Sequence, residues 1–118
     1  ERRGVLRGLN AAPNVGPEVA VVGVELVGDA LRTNDPRLVA AALGPFAADH
    51  LDEHGWRHGV LKALFMQLPL DVVAGLDRRA DPELARMAAA LIAERRAAGR
   101  AVSDDMTRLA AITTTSGA

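Results

Sequence analysis

The sequence predicts an all-α protein, either a short HEAT-like α-solenoid or an irregular helical bundle of six to seven helices. Three observations predict it. Alanine is the commonest residue and Leu and Arg are abundant, a helix-favouring mixture. Aromatic residues reach only 3%, as Trp56, Phe46 and Phe65, which is poor for a sandwich or barrel. Apolar residues recur with a helical period, most regularly at Leu84, Met87, Ala88, Leu91 and Ile92. The 118 residues are 49% hydrophobic and 25% charged, so a packed core is expected rather than a disordered chain. The expectation is a single helical domain over residues 1–112 with a frayed tail over 113–118.

Each element has its own signals. Residues 1–12 carry Val5, Leu9 and Ala12 on one face. Asn14-Val15-Gly16 is a turn signal and Pro17 suits a first helical position. Residues 17–32 then place Val19, Val22, Leu26, Val27, Ala30 and Leu31 at helical spacing, although Val21, Val22 and Val24 also admit a strand. Asp35-Pro36 joins a capping carboxylate to a proline at the first helical position, and Gly44-Pro45 closes the helix it opens. Residues 46–51 read as a turn or short helical piece. Asp52 caps a helix expected to run to about Leu68, with Trp56, Val60, Leu61, Leu64, Phe65 and Leu68 inward and Pro69 as its stop. Pro69 opens a short helix with Val72, Val73 and Leu76. Asp81-Pro82 repeats the cap-and-proline signal for a helix over 82–98, which Gly99 ends in a left-handed cap. Ser103 opens the last helix, with Asp104 and Asp105 near its positive end and Met106, Leu109 and Ile112 as its apolar side.

The two Asp-Pro segments lie 46 residues apart, and each leads to an Ala-Ala-Leu string, at Ala41-Ala42-Leu43 and Ala89-Ala90-Leu91. That spacing lies in the range of HEAT or armadillo units, although Asp-Pro is also a common helix start. The chain opens in what reads as mid-helix, so a further helix pair upstream is expected.

Composition removes several functions. The net charge of −1 denies a nucleic-acid binder its basic stripe. The absence of cysteine removes disulfides, thiol nucleophiles and Cys-ligated metals. No apolar run reaches a membrane-spanning length, and Glu1-Arg2-Arg3-Gly4 has no apolar signal core, so no transmembrane segment is expected and the expected location is cytoplasmic. No phosphate-binding glycine loop is present, and the two serines, Ser103 and Ser116, have no adjacent base.

A few positions stand out. His50, His54 and His58 follow each other at intervals of four, and two imidazoles on adjacent helical turns can chelate zinc. The glutamate of a His-Glu-x-x-His motif is missing between His54 and His58, and the Lys62 ammonium continues the stripe, so solvated histidines are the plainer reading. Arg57 falls inside the apolar arc of its helix, where an unpaired guanidinium costs several kcal/mol. Either Glu53 pairs with it one turn earlier, or it receives a ligand carboxylate or phosphate beside Trp56 and Lys62. Asn34 and Asp35 stand in a turn before a helix, where capping is the ordinary role.

The strings Leu31-Arg32-Thr33-Asn34-Asp35-Pro36-Arg37-Leu38-Val39, Leu43-Gly44-Pro45-Phe46, Leu51-Asp52-Glu53-His54, Trp56-Arg57 and Val60-Leu61-Lys62-Ala63-Leu64-Phe65-Met66 resemble the EboA family in order. The likeness continues through Pro69-Leu70, Leu76-Asp77-Arg78-Arg79 and Ala97-Ala98-Gly99-Arg100, and covers roughly residues 26–102. The resemblance implies a bacterial protein, longer at its N-terminus, encoded in ebo-type clusters whose neighbours resemble biosynthetic and membrane enzymes. It implies a part in making or moving a secondary metabolite. It supplies no catalytic residues, only motif membership for Asn34, Asp35, Trp56, Arg57 and Lys62. Phe46 stands where the family often has tyrosine, and His58 where it often has glutamine.

The sequence therefore leads to a non-catalytic helical adaptor or small-ligand-binding protein. Asn34, Asp35, Trp56, Arg57 and Lys62 are its candidate ligand residues, a small anionic metabolite and cluster-encoded biosynthetic or membrane proteins its expected partners. No cofactor or nucleic acid is expected, and His54 and His58 are the only candidate metal ligands. The alternative is an enzyme or enzyme subunit acting on a small anionic metabolite.

Overall fold

A computed structural model describes the backbone of residues 2–12 and 14–116, and side chains from within that range up to residue 111. The described residues form eight α-helices and one 3-10 turn, with no strand. They fall into two compact units, Glu1–Gly75 and Leu76–Ala118. The first holds α1 (Arg2–Ala11), α2 (Pro17–Leu31), α3 (Pro36–Ala42), α4 (Pro45–His50), α5 (Glu53–Phe65) and the 3-10 turn Leu70–Val72. The second holds α6 (Leu76–Arg79), α7 (Pro82–Ala97) and α8 (Asp104–Ser116).

Local chemistry sets the helix starts. Asp35 accepts the backbone N–H of Arg37 at 2.9 Å, Asp52 that of Gly55 at 2.7 Å, and Asp81 that of Leu84 at 2.9 Å. Each carboxylate satisfies a donor that the first helical turn cannot pair internally. Ser103 Oγ does the same for Met106 at 3.2 Å. Proline sits in the first turn of α2, α3, α4 and α7, where its missing N–H costs nothing. The two Asp-Pro segments thus open alike, but the likeness stops there. Gly44-Pro45 ends α3 after 7 residues, whereas α7 runs for 16.

The helix ends combine local signals with one tertiary contact. The helix expected to reach Leu68 stops at Phe65, because Pro69 drives the residue before it away from helical dihedrals. The chain leaves through Gln67 at φ 62°, with Leu68 N–H donating to Ala63 at 2.9 Å. Helix α7 ends the same way through Gly99 at φ 72°, with Arg100 N–H donating to Arg95 at 2.8 Å. The short helix expected from Pro69 is split. Ala74 N–H donates to the Leu43 carbonyl at 2.9 Å, and Gly75 at φ 75° turns the chain before α6.

In the first unit, α1 packs on α2, α3 and α4, and α5 packs on α2 and α3. Leu6, Val27, Ala30, Ala42, Phe46 and Ala47 form a buried cluster. The valine-rich stretch is helical, but its buried stripe is Gly23, Val27 and Ala30. Val19 and Val22, expected inward, are exposed, as is Val21. The reason is Phe46. Its ring lies against Gly23 so closely that a Cβ there would stand 2.4 Å from it, and this contact fixes which side of α2 turns inward. On α5 the buried stripe is Trp56, Gly59, Val60, Ala63 and Leu64, while Phe65, expected inward, is 55% exposed. In the second unit α7 packs along α8, burying Leu84, Ala85, Ala88, Ile92, Met106 and Leu109. Met87 and Leu91 are half-buried at the margin of that stripe. Arg95 is also buried, and its Nε donates to the Ala101 carbonyl at 2.7 Å, tying the α7–α8 connection to α7. The side chain of Ile112 and residues 117 and 118 of the expected tail lie outside the described residues.

One polar side chain joins three helices. Asn10 Nδ2 donates to the Ala41 carbonyl at 2.8 Å, and Phe46 N–H donates to Asn10 Oδ1 at 3.0 Å. The carboxamide sits where a Cβ on Gly44 would stand, 2.4 Å from Nδ2. Replacing Asn10 by Ala should therefore lower unfolding free energy by about 2 kcal/mol, since two partly buried backbone groups lose their partner. Gln67→Gly should raise it by about 0.5–1 kcal/mol by relieving a left-handed conformation that glycine adopts freely. Chemical denaturation of the two variants checks both signs.

Candidate functional site

The turn between α2 and α3 carries the first candidate residues. Thr33 Oγ1 donates to the Ala30 carbonyl at 2.7 Å and accepts Asp35 N–H at 3.3 Å. This local turn leaves Asn34 outward, and its Oδ1 accepts Lys62 Nζ from α5 at 3.1 Å. Two residues 28 apart in sequence thus meet.

Asp35 faces a cleft of about 320 Å³ lined by Arg2, Arg3, Asp35, Arg37 and Leu38. Its carboxylate is shared between capping α3 and the Arg37 guanidinium, whose Nε stands 4.0 Å from Oδ1. Arg2 and Arg3 from α1 are exposed and face the same space. Three guanidinium groups against one carboxylate leave the cleft net positive, and Leu38 gives it an apolar wall. Guanidinium forks match carboxylate and phosphate oxygens in pairs, so the arrangement suits an anion with a small apolar part.

Trp56 and Arg57 lie elsewhere. Trp56 is 1% exposed and belongs to the core under α5. Arg57 is 19% exposed and its Nη2 stands 3.3 Å from Glu53 Oε2, one turn earlier. The guanidinium is therefore largely covered, and the partner expected from i, i+4 spacing engages it. Of the five candidates, the structure joins Asn34 to Lys62, sets Asp35 with Arg37, and keeps Trp56 and Arg57 out of the cleft.

The histidines separate into two groups. His50, at the end of α4, stacks on Phe46 with ring centres 4.5 Å apart. It borders a second cavity, of about 250 Å³, with Asn10, Asn14, Asp49 and Val15. His54 and His58 stand together on α5, ring centres 4.2 Å apart. No group of three or more His, Asp or Glu suited to a metal occurs among the described residues.

Sequence reasoning missed Asn10, Arg2, Arg3 and Arg37. Arg37 follows the Asp35-Pro36 signal directly and could have been found as a neighbour of the cap. The other three gain meaning only when α1 lies against α3 and α4.

The comparison with known families is decisive at the level of family. The model described as "Metabolite traffic protein EboA" matches residues 26–111, well over half of the chain. The chain belongs to the EboA family. The matched span begins within α2 and reaches α8, so it contains Asn34, Asp35, Arg37, Trp56, Arg57 and Lys62, as well as His54 and His58. Helix α1, with Asn10, Arg2 and Arg3, precedes the part shared with the EboA model. No curated protein and no solved structure matches the chain. Among the described residues no helix is long and apolar enough to cross a membrane.

The Arg57–Glu53 contact is an edge interaction, because Glu53 is 78% exposed. Arg57→Met should keep the fold and change stability by less than about 1 kcal/mol, since solvent screens such pairs and the methionine covers the same apolar surface. A thermal melt monitored by circular dichroism checks this.

Proposed function

We propose that this EboA-family protein is a non-catalytic helical adaptor that binds a small anionic ligand and so serves metabolite traffic. The observation that carries the reading is the arginine-lined cleft. Arg2 and Arg3 reach it from α1, and Asp35 and Arg37 from α3. Each charge-assisted hydrogen bond to an anion contributes about 1.5–3 kcal/mol. Asp35 offers an acceptor for a ligand hydroxyl or amine beside the anionic group. Asn34 precedes Asp35 in the chain and accepts Lys62 Nζ at 3.1 Å, but neither residue lines the cleft. In this reading Trp56 and Arg57 anchor α5 and do not touch the ligand.

Binding fits these residues better than catalysis. Among the described residues lining the cleft, Asp35 is the one group suited to proton transfer, and its Oδ1 is already engaged by the α3 cap. The expected partners are proteins encoded beside this one, which would receive or supply the ligand.

Titration calorimetry with inorganic phosphate and with citrate tests the proposal. At least one should bind, more weakly as salt rises. Arg37→Gln should weaken that binding about tenfold or more, and Arg2→Gln with Arg3→Gln should weaken it further. Heat that is absent for both anions, or unchanged in the triple variant, would overturn the reading.

A further inference from the structure

We propose that His54 and His58 form a bidentate, solvent-facing site for a late first-row divalent ion such as zinc, nickel or copper. The site is separate from the arginine-lined cleft and does not depend on the anion reading.

Three observations carry it. Both residues lie on α5, one helical turn apart, which directs their side chains to the same side. Their ring centres are 4.2 Å apart and the planes are inclined at 49°. Two nitrogens bound to one zinc at about 2.0–2.1 Å stand a little over 3 Å apart, so small side-chain rotations suffice to direct one nitrogen of each ring at a shared ion. Both imidazoles are exposed, and neither makes a hydrogen bond or ion pair among the described residues, so nothing has to be broken for a metal to bind.

The neighbouring charges are occupied. The Lys62 ammonium, one turn beyond His58, is drawn to Asn34 Oδ1 at 3.1 Å. The Arg57 guanidinium is engaged by Glu53. Glu53 offsets the Arg57 charge, and the Lys62 ammonium keeps its charge but is directed toward Asn34. No third His, Asp or Glu completes the set among the described residues, so the ion would keep open positions filled by water. Imidazole donors select zinc, nickel and copper over magnesium and calcium, which require oxygen ligands. His50 is no part of the site, since it is seated against Phe46 on α4.

The test uses the full chain without a polyhistidine tag. Nickel titrated into the protein should bind one ion per chain by calorimetry. It should broaden the ring proton signals of His54 and His58 in NMR spectra before those of His50. His54→Gln and His58→Gln should each weaken binding at least about tenfold, the double variant should abolish it, and magnesium should give no heat. Because both rings are exposed, the variants should keep the wild-type circular dichroism spectrum. A wild-type protein that takes up no nickel, a double variant that binds as well as wild type, or equal broadening of His50 would overturn the site.

Discussion

The first unit depends on one carboxamide. Where α3 gives way to α4, the last turn of α3 leaves carbonyls without helical partners, and the first turn of α4 leaves N–H groups in the same state. Pro45 removes one of those donors, and Phe46 carries the next. Asn10 meets both needs at once, as its Nδ2 donates to the Ala41 carbonyl and its Oδ1 accepts the Phe46 N–H. Gly44 is required by space and not by dihedral angles, since its φ is −78° and the carboxamide fills the place of a side chain. With Phe46 held, its ring reaches Gly23 and settles the face of α2, while the same ring supports His50. One hydrogen-bonded side chain thereby orders four helices.

The arginine-lined cleft follows from the same fastening. Arg2 and Arg3 stand at the start of the helix whose end Asn10 secures. Because α1 lies along α3, the two guanidinium groups come opposite Asp35 and Arg37. Asp35 keeps the cluster from being uniformly positive, and its cap bond to Arg37 N–H keeps α3 in register with the turn that bears Asn34. The match to the EboA model covers the α3 side of this cleft, and the α1 side lies outside the matched span.

Helix α5 divides its duties by face. The stripe of Trp56, Gly59, Val60, Ala63 and Leu64 is buried, with Gly59 allowing Leu43 and Leu31 to close on the helix. The opposite side carries His54, His58 and Lys62, and the margin between them carries Arg57 with Glu53. A helix anchored so fully along one side presents the other as a rigid row, which is why side chains four residues apart can act together there.

By itself the sequence determined the helical class, the capped starts at Asp35, Asp52 and Asp81, and the αL exit at Gly99, and it offered Glu53 as one of two alternatives for Arg57. All of these are decided within a few residues, by orphan backbone groups, by proline's fixed φ and by i, i+4 reach. The family was legible too, because its strings are contiguous. Tertiary structure alone decided which side of α2 is buried, where the helix expected from Pro69 breaks, and which residues share the cleft. Those outcomes turn on the Phe46 ring against Gly23, the Ala74–Leu43 hydrogen bond and the Asn10 bridge, contacts between residues 23 to 36 positions apart. A periodic pattern states that a helix has an apolar side, but the partner that fills it comes from elsewhere in the chain, and so does its exact orientation.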